Sequence, residues 1–147
     1  AFEKTILSRA QTLRIQPISD IESLKILEKT KLNEDSKRRI LFLASGLPGE
    51  IQRLASEKKY FNEQMELAEI AKRWFLGSKF EKMLISKDLK DREKTLIFLE
   101  ILLKIINQTF VRNPENSAIN AQKTLKAYDK ITKNGSIKLA LLELIVC

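Results

Sequence analysis

The amino-acid sequence predicts an all-α fold with a short extended N-terminal segment, a three-helix bundle and then a second helical domain. Three observations lead there. The 147 residues include only 4 Gly and 3 Pro, too few for the many turns of a sandwich or barrel. Apolar residues recur at three- and four-residue spacing over most of the chain. Helix start and stop signals punctuate that pattern at short intervals. The chain is 44% hydrophobic and 31% charged, a balance that excludes a disordered or low-complexity protein.

The first segment, Thr5 to Ile18, alternates apolar and polar residues around Leu13 and Ile15, reads as extended, and ends at Pro17. Ser19 stands three residues before Glu22, the spacing of a capping box, and Ile21, Leu24 and Leu27 are expected on one face of the helix it opens. Asn33 opens a second helix. Its first turn is acidic (Glu34, Asp35), and Lys37, Arg38 and Arg39 precede the apolar Ile40, Leu43 and Ala44. Gly46-Leu47-Pro48-Gly49 breaks it, with Gly46 suited to a left-handed position and Pro48 to the first turn of a third helix. Ile51, Leu54 and Ala55 give that helix its apolar face.

A longer helix over 61–76 carries Phe61, Met65, Ala68 and Phe75 on one stripe, with Trp74 beside it, and Gly77 ends it. A short helix around Phe80, Met83 and Leu84 follows. From Asp91 to Val111 runs the most hydrophobic helix, whose polar Glu100, Lys104 and Asn107 fall on one narrow stripe, so neighbours must cover it nearly all round. Asn113-Pro114 stops it. Ala118, Ala121, Leu125 and Tyr128 mark the inner face of the next helix, and Asn134-Gly135-Ser136 turns the chain into a final helix from Ile137 to Val146. The expected organisation is residues 1–59 as lead-in plus bundle and residues 60–147 as the second helical domain.

Composition narrows the function. The chain has no His, which removes the usual general base, proton shuttle and commonest metal ligand together. Its single Cys147 excludes an internal disulfide or a zinc cluster. These gaps predict a domain that is not an enzyme in its own right. The start, Ala1-Phe2-Glu3-Lys4-Thr5, is not a signal peptide, and its lack of Met suggests a fragment. Leu96 to Ile106 is interrupted by Glu100 and Lys104, whereas a bilayer span needs about 20 mostly apolar residues. A cytoplasmic protein without a membrane partner is the expectation.

The formal charge of +8 is spread along the chain. Residues 1–76 carry 14 basic and 11 acidic side chains, and residues 77–147 carry 13 and 8. That is not a concentrated nucleic-acid footprint. Lys123, Lys126, Lys130 and Lys133 recur at helical spacing and read as a solvated face diluted by Asp129, with an acidic-partner or nucleic-acid stripe as the other reading. Trp74 and Phe75 read as core or a domain seam.

One string carries more information. Thr5-Ile6-Leu7-Ser8-Arg9-Ala10-Gln11 resembles the Ser-Arg-Cys motif of DNA polymerase clamp loaders, AAA+ proteins in which the typical run is Thr-Ile-x-Ser-Arg-Cys-Gln. Ala10 replaces the Cys, one small side chain for another. The order that follows is similar too: a strand, a Pro-Ile turn, three lid helices, then Ala-Ser-Gly-Leu-Pro-Gly at Ala44 to Gly49. The C-terminal half resembles the collar of bacterial delta-prime and gamma/tau subunits, through Asn134-Gly135-Ser136 and the Leu139-Ala140-Leu141 that follows.

The resemblance implies an AAA+ lid followed by a collar that oligomerises with other clamp-loader subunits. It makes Arg9, positioned by Ser8, an arginine finger offered in trans to ATP on a neighbouring subunit; the other reading of Arg9 is an exposed strand-edge side chain. A guanidinium suits the finger role, being always charged and able to meet a transferring phosphoryl group with several donors. It also implies that Gly46, Pro48 and Gly49 form the lid turn at the sensor position, where ATP-using subunits carry an Arg and this chain has Gly49. Arg53, one turn on, is the alternative cation. No Gly-x-x-x-x-Gly-Lys-[Ser/Thr] loop is present, so no cofactor is expected on this chain itself. The expected assembly opens a sliding clamp and loads it on primed DNA. A gamma/tau-type ATPase subunit, or an unrelated helical adaptor, stands as the alternative.

Overall fold

The computed structural model describes residues 16–146. Among them are eight helices and no strand: α1 (Asp20–Glu28), α2 (Glu34–Ala44), α3 (Pro48–Ser56), α4 (Lys58–Leu76), α5 (Lys79–Asp88), α6 (Arg92–Thr109), α7 (Pro114–Thr132) and α8 (Ile137–Val146). The fold is all-helical. Most of the extended segment expected over Thr5 to Ile18 lies outside the described residues, and its end at Gln16 to Ile18 is non-helical. The chain divides between Glu57 and Lys58 into two compact units.

Local chemistry starts most of these helices. At α1 the Ser19 hydroxyl accepts from the Glu22 N–H at 3.3 Å, while the Glu22 carboxylate accepts from the Ser19 N–H at 3.0 Å. Ser78 and Glu81 repeat that reciprocal box at α5, at 3.3 and 2.7 Å. Asn33, Asp91 and Asn113 cap α2, α6 and α7 with single side-chain acceptors. In the two boxes the hydrogen bonds favour the charged glutamate. The Ser19 hydroxyl, then its N–H, hold the Glu22 carboxyl below its ordinary value, and the Ser78 N–H, then its hydroxyl, do the same for Glu81.

In the first unit α1, α2 and α3 each pack on both others. Leu27, Ile40, Leu43, Ala44, Ile51 and Leu54 form the core. The expected inner face of α1 is corrected here: Ile21 is 70% exposed and Leu24 38%, and Ser23 lies inside beside Leu27. Ser23 can be buried because its hydroxyl donates to the Ser19 carbonyl at 2.9 Å, leaving nothing unpaired.

In the second unit the helices close a ring. α6 packs on α4 and α7, α7 on α8, α8 on α5, and α5 on α4. α6 is the most buried, contributing Thr95, Phe98, Leu99, Ile101, Leu102 and Ile106 to the interior. Trp74 meets Phe98 edge-on, with ring centroids 5.5 Å apart and planes at 75°. Two inner faces differ from expectation. α4 buries Gln64, Leu67, Ala71 and Trp74, with Phe61, Met65, Ala68 and Phe75 half-buried on its flank. α7 buries Ser117, Thr124, Ala127 and Ile131, leaving Ala118 and Leu125 exposed. Thr124 donates to its own Asn120 carbonyl at 2.8 Å, and the Ser117 and Thr109 hydroxyls lie 3.2 Å apart, so small polar groups enter the core fully paired.

Two side chains fasten the ring. Tyr128 of α7 donates its hydroxyl to Glu100 of α6 at 2.8 Å, and that hydrogen bond, with partial burial and the carboxylate charge, raises the tyrosine pKa. Arg92, the first residue of α6, reaches the end of α7, donating to the Ile131 carbonyl and, at 3.2 Å, to that of Gly135. The Ile131 carbonyl also accepts from the Asn134 N–H at 3.1 Å, so the guanidinium adds to a locally closed turn and sets its positive charge at the negative end of the helix dipole.

Arg92→Ala should lower the unfolding free energy by about 1.5–3 kcal/mol, the usual worth of hydrogen bonds to a charged group. Arg92→Lys should recover only part of this, since an ammonium cannot fork to two carbonyls; urea titration reads both. Ser19→Ala or Ser78→Ala should each cost about 1 kcal/mol. Because both boxes depress a glutamate, their contribution is complete at neutral pH and is lost as pH falls through the folded carboxyl values. The Ser19→Ala/Ser78→Ala double variant should accordingly show a shallower acid decline in melting temperature than the parent chain.

Candidate functional site

The Gly46 turn is where the end of the lead-in and the sequence-selected glycines meet. α2 ends through two successive left-handed residues, Ser45 at φ 49° and Gly46 at φ 78°. The Ile18 N–H donates to the Gly46 carbonyl at 2.8 Å, pinning the segment before α1 onto the turn between α2 and α3. A Cβ at Gly46 would stand 2.5 Å from the Ile18 carbonyl oxygen and 3.0 Å from the Pro17 Cβ. Glycine is therefore required by its backbone angle and by the close approach.

Pro48 is the first residue of α3, where its missing N–H costs nothing, and Leu47 precedes it with no side-chain cap. Gly49 differs from Gly46 in both respects. Its φ is not left-handed, and nothing lies within 4 Å of where its Cβ would be. Position 49 is thus sterically open to a larger side chain. Arg53, the alternative cation, lies one turn along α3 and pairs with Glu57 at 3.6 Å, both side chains about half exposed. Ser8 and Arg9 fall outside the described residues, so the structure brings together Gly46, Pro48 and Gly49 with Pro17 and Ile18 only.

Other candidate chemistry thins out on inspection. Among the described residues no group of three or more His, Cys, Asp or Glu is placed to hold a metal ion. A cavity of about 50 Å³ in the second unit is lined by Trp74, Phe75, Lys82, Leu102, Asn120 and Leu144 among others, which draws on all five helices of the ring. It has room for a water or two, against roughly 300 Å³ or more for a small-molecule site. Of the lysines in that stripe, Lys130 pairs with Glu143 and Lys133 with Asp129 at 2.8 Å, so these two are neutralised within the unit. Trp74 is 3% exposed and packed on Phe98, which denies its face to any stacking base. No helix among the described residues is long and apolar enough to cross a membrane.

Sequence reasoning did not identify Arg92 or the bare outer face of α5, where Phe80 is 69% exposed. The second had a signal: Ile85 and Leu89 lie on one side of that helix and Phe80, Met83 and Leu84 on the other, one apolar face more than packing within a single unit needs. Comparison of the chain with protein-family models, curated proteins and solved structures gives no match.

The two glycines of the turn should respond oppositely to alanine. Gly46→Ala should cost about 1–3 kcal/mol from backbone strain alone, before the contact with Ile18 is added. Gly49→Ala should leave the fold intact and stabilise it by about 0.4–1 kcal/mol, by restricting the unfolded chain. Thermal unfolding followed by circular dichroism reads both signs.

Proposed function

We propose that the chain is the C-terminal part, AAA+ lid plus collar, of a bacterial DNA polymerase III clamp-loader subunit of the delta-prime kind. The observation that carries the reading is the run Thr5 to Gln11, matching the clamp-loader motif at every typed position but Ala10 and followed by three short helices with Gly-Leu-Pro-Gly before the third. The hydrogen bond from Ile18 to Gly46 supports it, because it ties the downstream end of that motif's segment to the turn at the sensor position. The lid would carry Arg9 toward a neighbour. The collar would hold the subunit in the assembly.

In this reading the chain hydrolyses nothing itself. ATP sits on an adjacent subunit in the cytoplasm, and Arg9 stabilises the charge that develops on the transferring phosphoryl group, with Ser8 shaping the turn that presents it. Partner subunits, the sliding clamp and primed DNA are met through the assembly. Gly49 favours a delta-prime role over a gamma/tau one: the site is open to a larger side chain, yet no cation stands there.

The test uses the full-length subunit reconstituted with an ATPase partner subunit, the clamp and primed DNA. Arg9→Ala should slow hydrolysis at the neighbouring site by up to about 10³-fold while leaving assembly intact, and Arg9→Lys should not restore it. Unchanged hydrolysis removes the finger role. Failure of the unaltered subunit to join the assembly would leave a helical adaptor as the surviving reading.

A further inference from the structure

α5 has two apolar sides. Ile85 and Leu89 are buried in the second unit, whereas Phe80 is 69% exposed, Met83 46% and Leu84 45%. At 3.6 residues per turn these three share the outward face with Lys87, and Lys79 borders it at the start. Leu76, 73% exposed, stands just ahead of the helix. The exposed surroundings are net basic: of the exposed charged side chains over 72–94, six are Lys or Arg and four Asp or Glu, and Glu81 is already engaged by Ser78. We propose that the outward face of α5, with Phe80, Met83 and Leu84 set between Lys79 and Lys87, docks an acidic amphipathic helix of a partner protein.

Shape and charge select that occupant. Lys79 and Lys87 are eight residues apart, about 12 Å along the helix, with the apolar residues between them. A partner helix with apolar residues at i, i+3 and i+4 and carboxylates about two turns apart meets both features at once. Methionine adapts its shape to such a partner at little cost. A second copy of this chain fits worse, because a two-fold contact through α5 would set its lysines against each other. An anionic lipid surface also fits worse. Its uniform charge would meet Asp88 and the acidic Asp91 and Glu93 as well as the lysines, whereas a helix places each carboxylate individually. The proposal does not depend on the clamp-loader reading.

The probe is a set of fluorescein-labelled peptides of about 16 residues, with Leu at the anchor positions, Glu on the flanks and the pattern stepped through every register. Fluorescence anisotropy with the full 147-residue chain should show saturable binding of at least one register, weakened by added salt. Phe80→Ser should weaken it at least about tenfold, the loss of one buried aromatic anchor. Lys79→Glu/Lys87→Glu should abolish binding of the Glu peptide and confer binding of its Lys-flanked counterpart. These positions are exposed, so melting curves of the variants should overlay that of the parent chain. No binding in any register overturns the proposal, as does binding indifferent to Phe80. Attachment to phosphatidylserine vesicles without peptide binding would overturn it in favour of a membrane. Self-association lost in Phe80→Ser would overturn it in favour of a second copy.

Discussion

A helix leaves up to four N–H groups at its start and four C=O groups at its end without partners. The eight helices among the described residues meet that constraint sixteen times, and its resolution shapes much of the structure around them. Most starts are resolved locally, by a serine, asparagine or aspartate three residues ahead of the N–H it accepts from. Ends are resolved in two ways. Ser45 and Gly46 after α2 and Asn134 after α7 turn left-handed and fold the chain back on itself, and at α7 Arg92 adds donors from elsewhere. The first solution places Gly46 against Ile18 in the bundle. The second joins α6 to the end of α7 and to the turn before α8 through one side chain.

The same distinction explains what could be read in the sequence. Helix ends were legible where their chemistry is local: the Ser19–Glu22 box, Asn33, Pro48 and the Asn134 turn all stand where the pattern puts them. Which face of a helix turns inward was harder to read. Ser23, Gln64, Ser117 and Thr124 look like surface residues but are buried, while Ile21 and Leu125 look like core but are exposed. A hydroxyl that donates to a carbonyl one turn back has no unmet demand, and its small size suits a tight contact between helices. A hydrophobic pattern does not register this. Arg92 was illegible for another reason: its acceptors lie 39 and 43 residues downstream.

The candidate site divides similarly. The need for a glycine at Gly46 follows from a helix stop followed by proline, but the approach of Ile18 to its carbonyl is a tertiary fact. Gly49 looks equivalent in the sequence and is not, since it carries neither strain nor crowding. In the second unit the cavity is small and water-sized. What the second unit offers outward instead is apolar surface on α5, edged by lysines.

The ring has a consequence for how the protein comes to be folded. α1, α2 and α3 are neighbours in sequence, so their bundle can close as soon as that part of the chain has been made. The ring of the second unit closes through α5 on α8, and its clamp joins Arg92 to Gly135. At roughly 5–20 residues per second of synthesis, α5 waits several seconds for the helix that covers its inner face. During that interval it is apolar on both sides. A ribosome stalled before Ile137 would therefore hold a formed bundle followed by a sticky, half-assembled ring, a form for chaperones to meet.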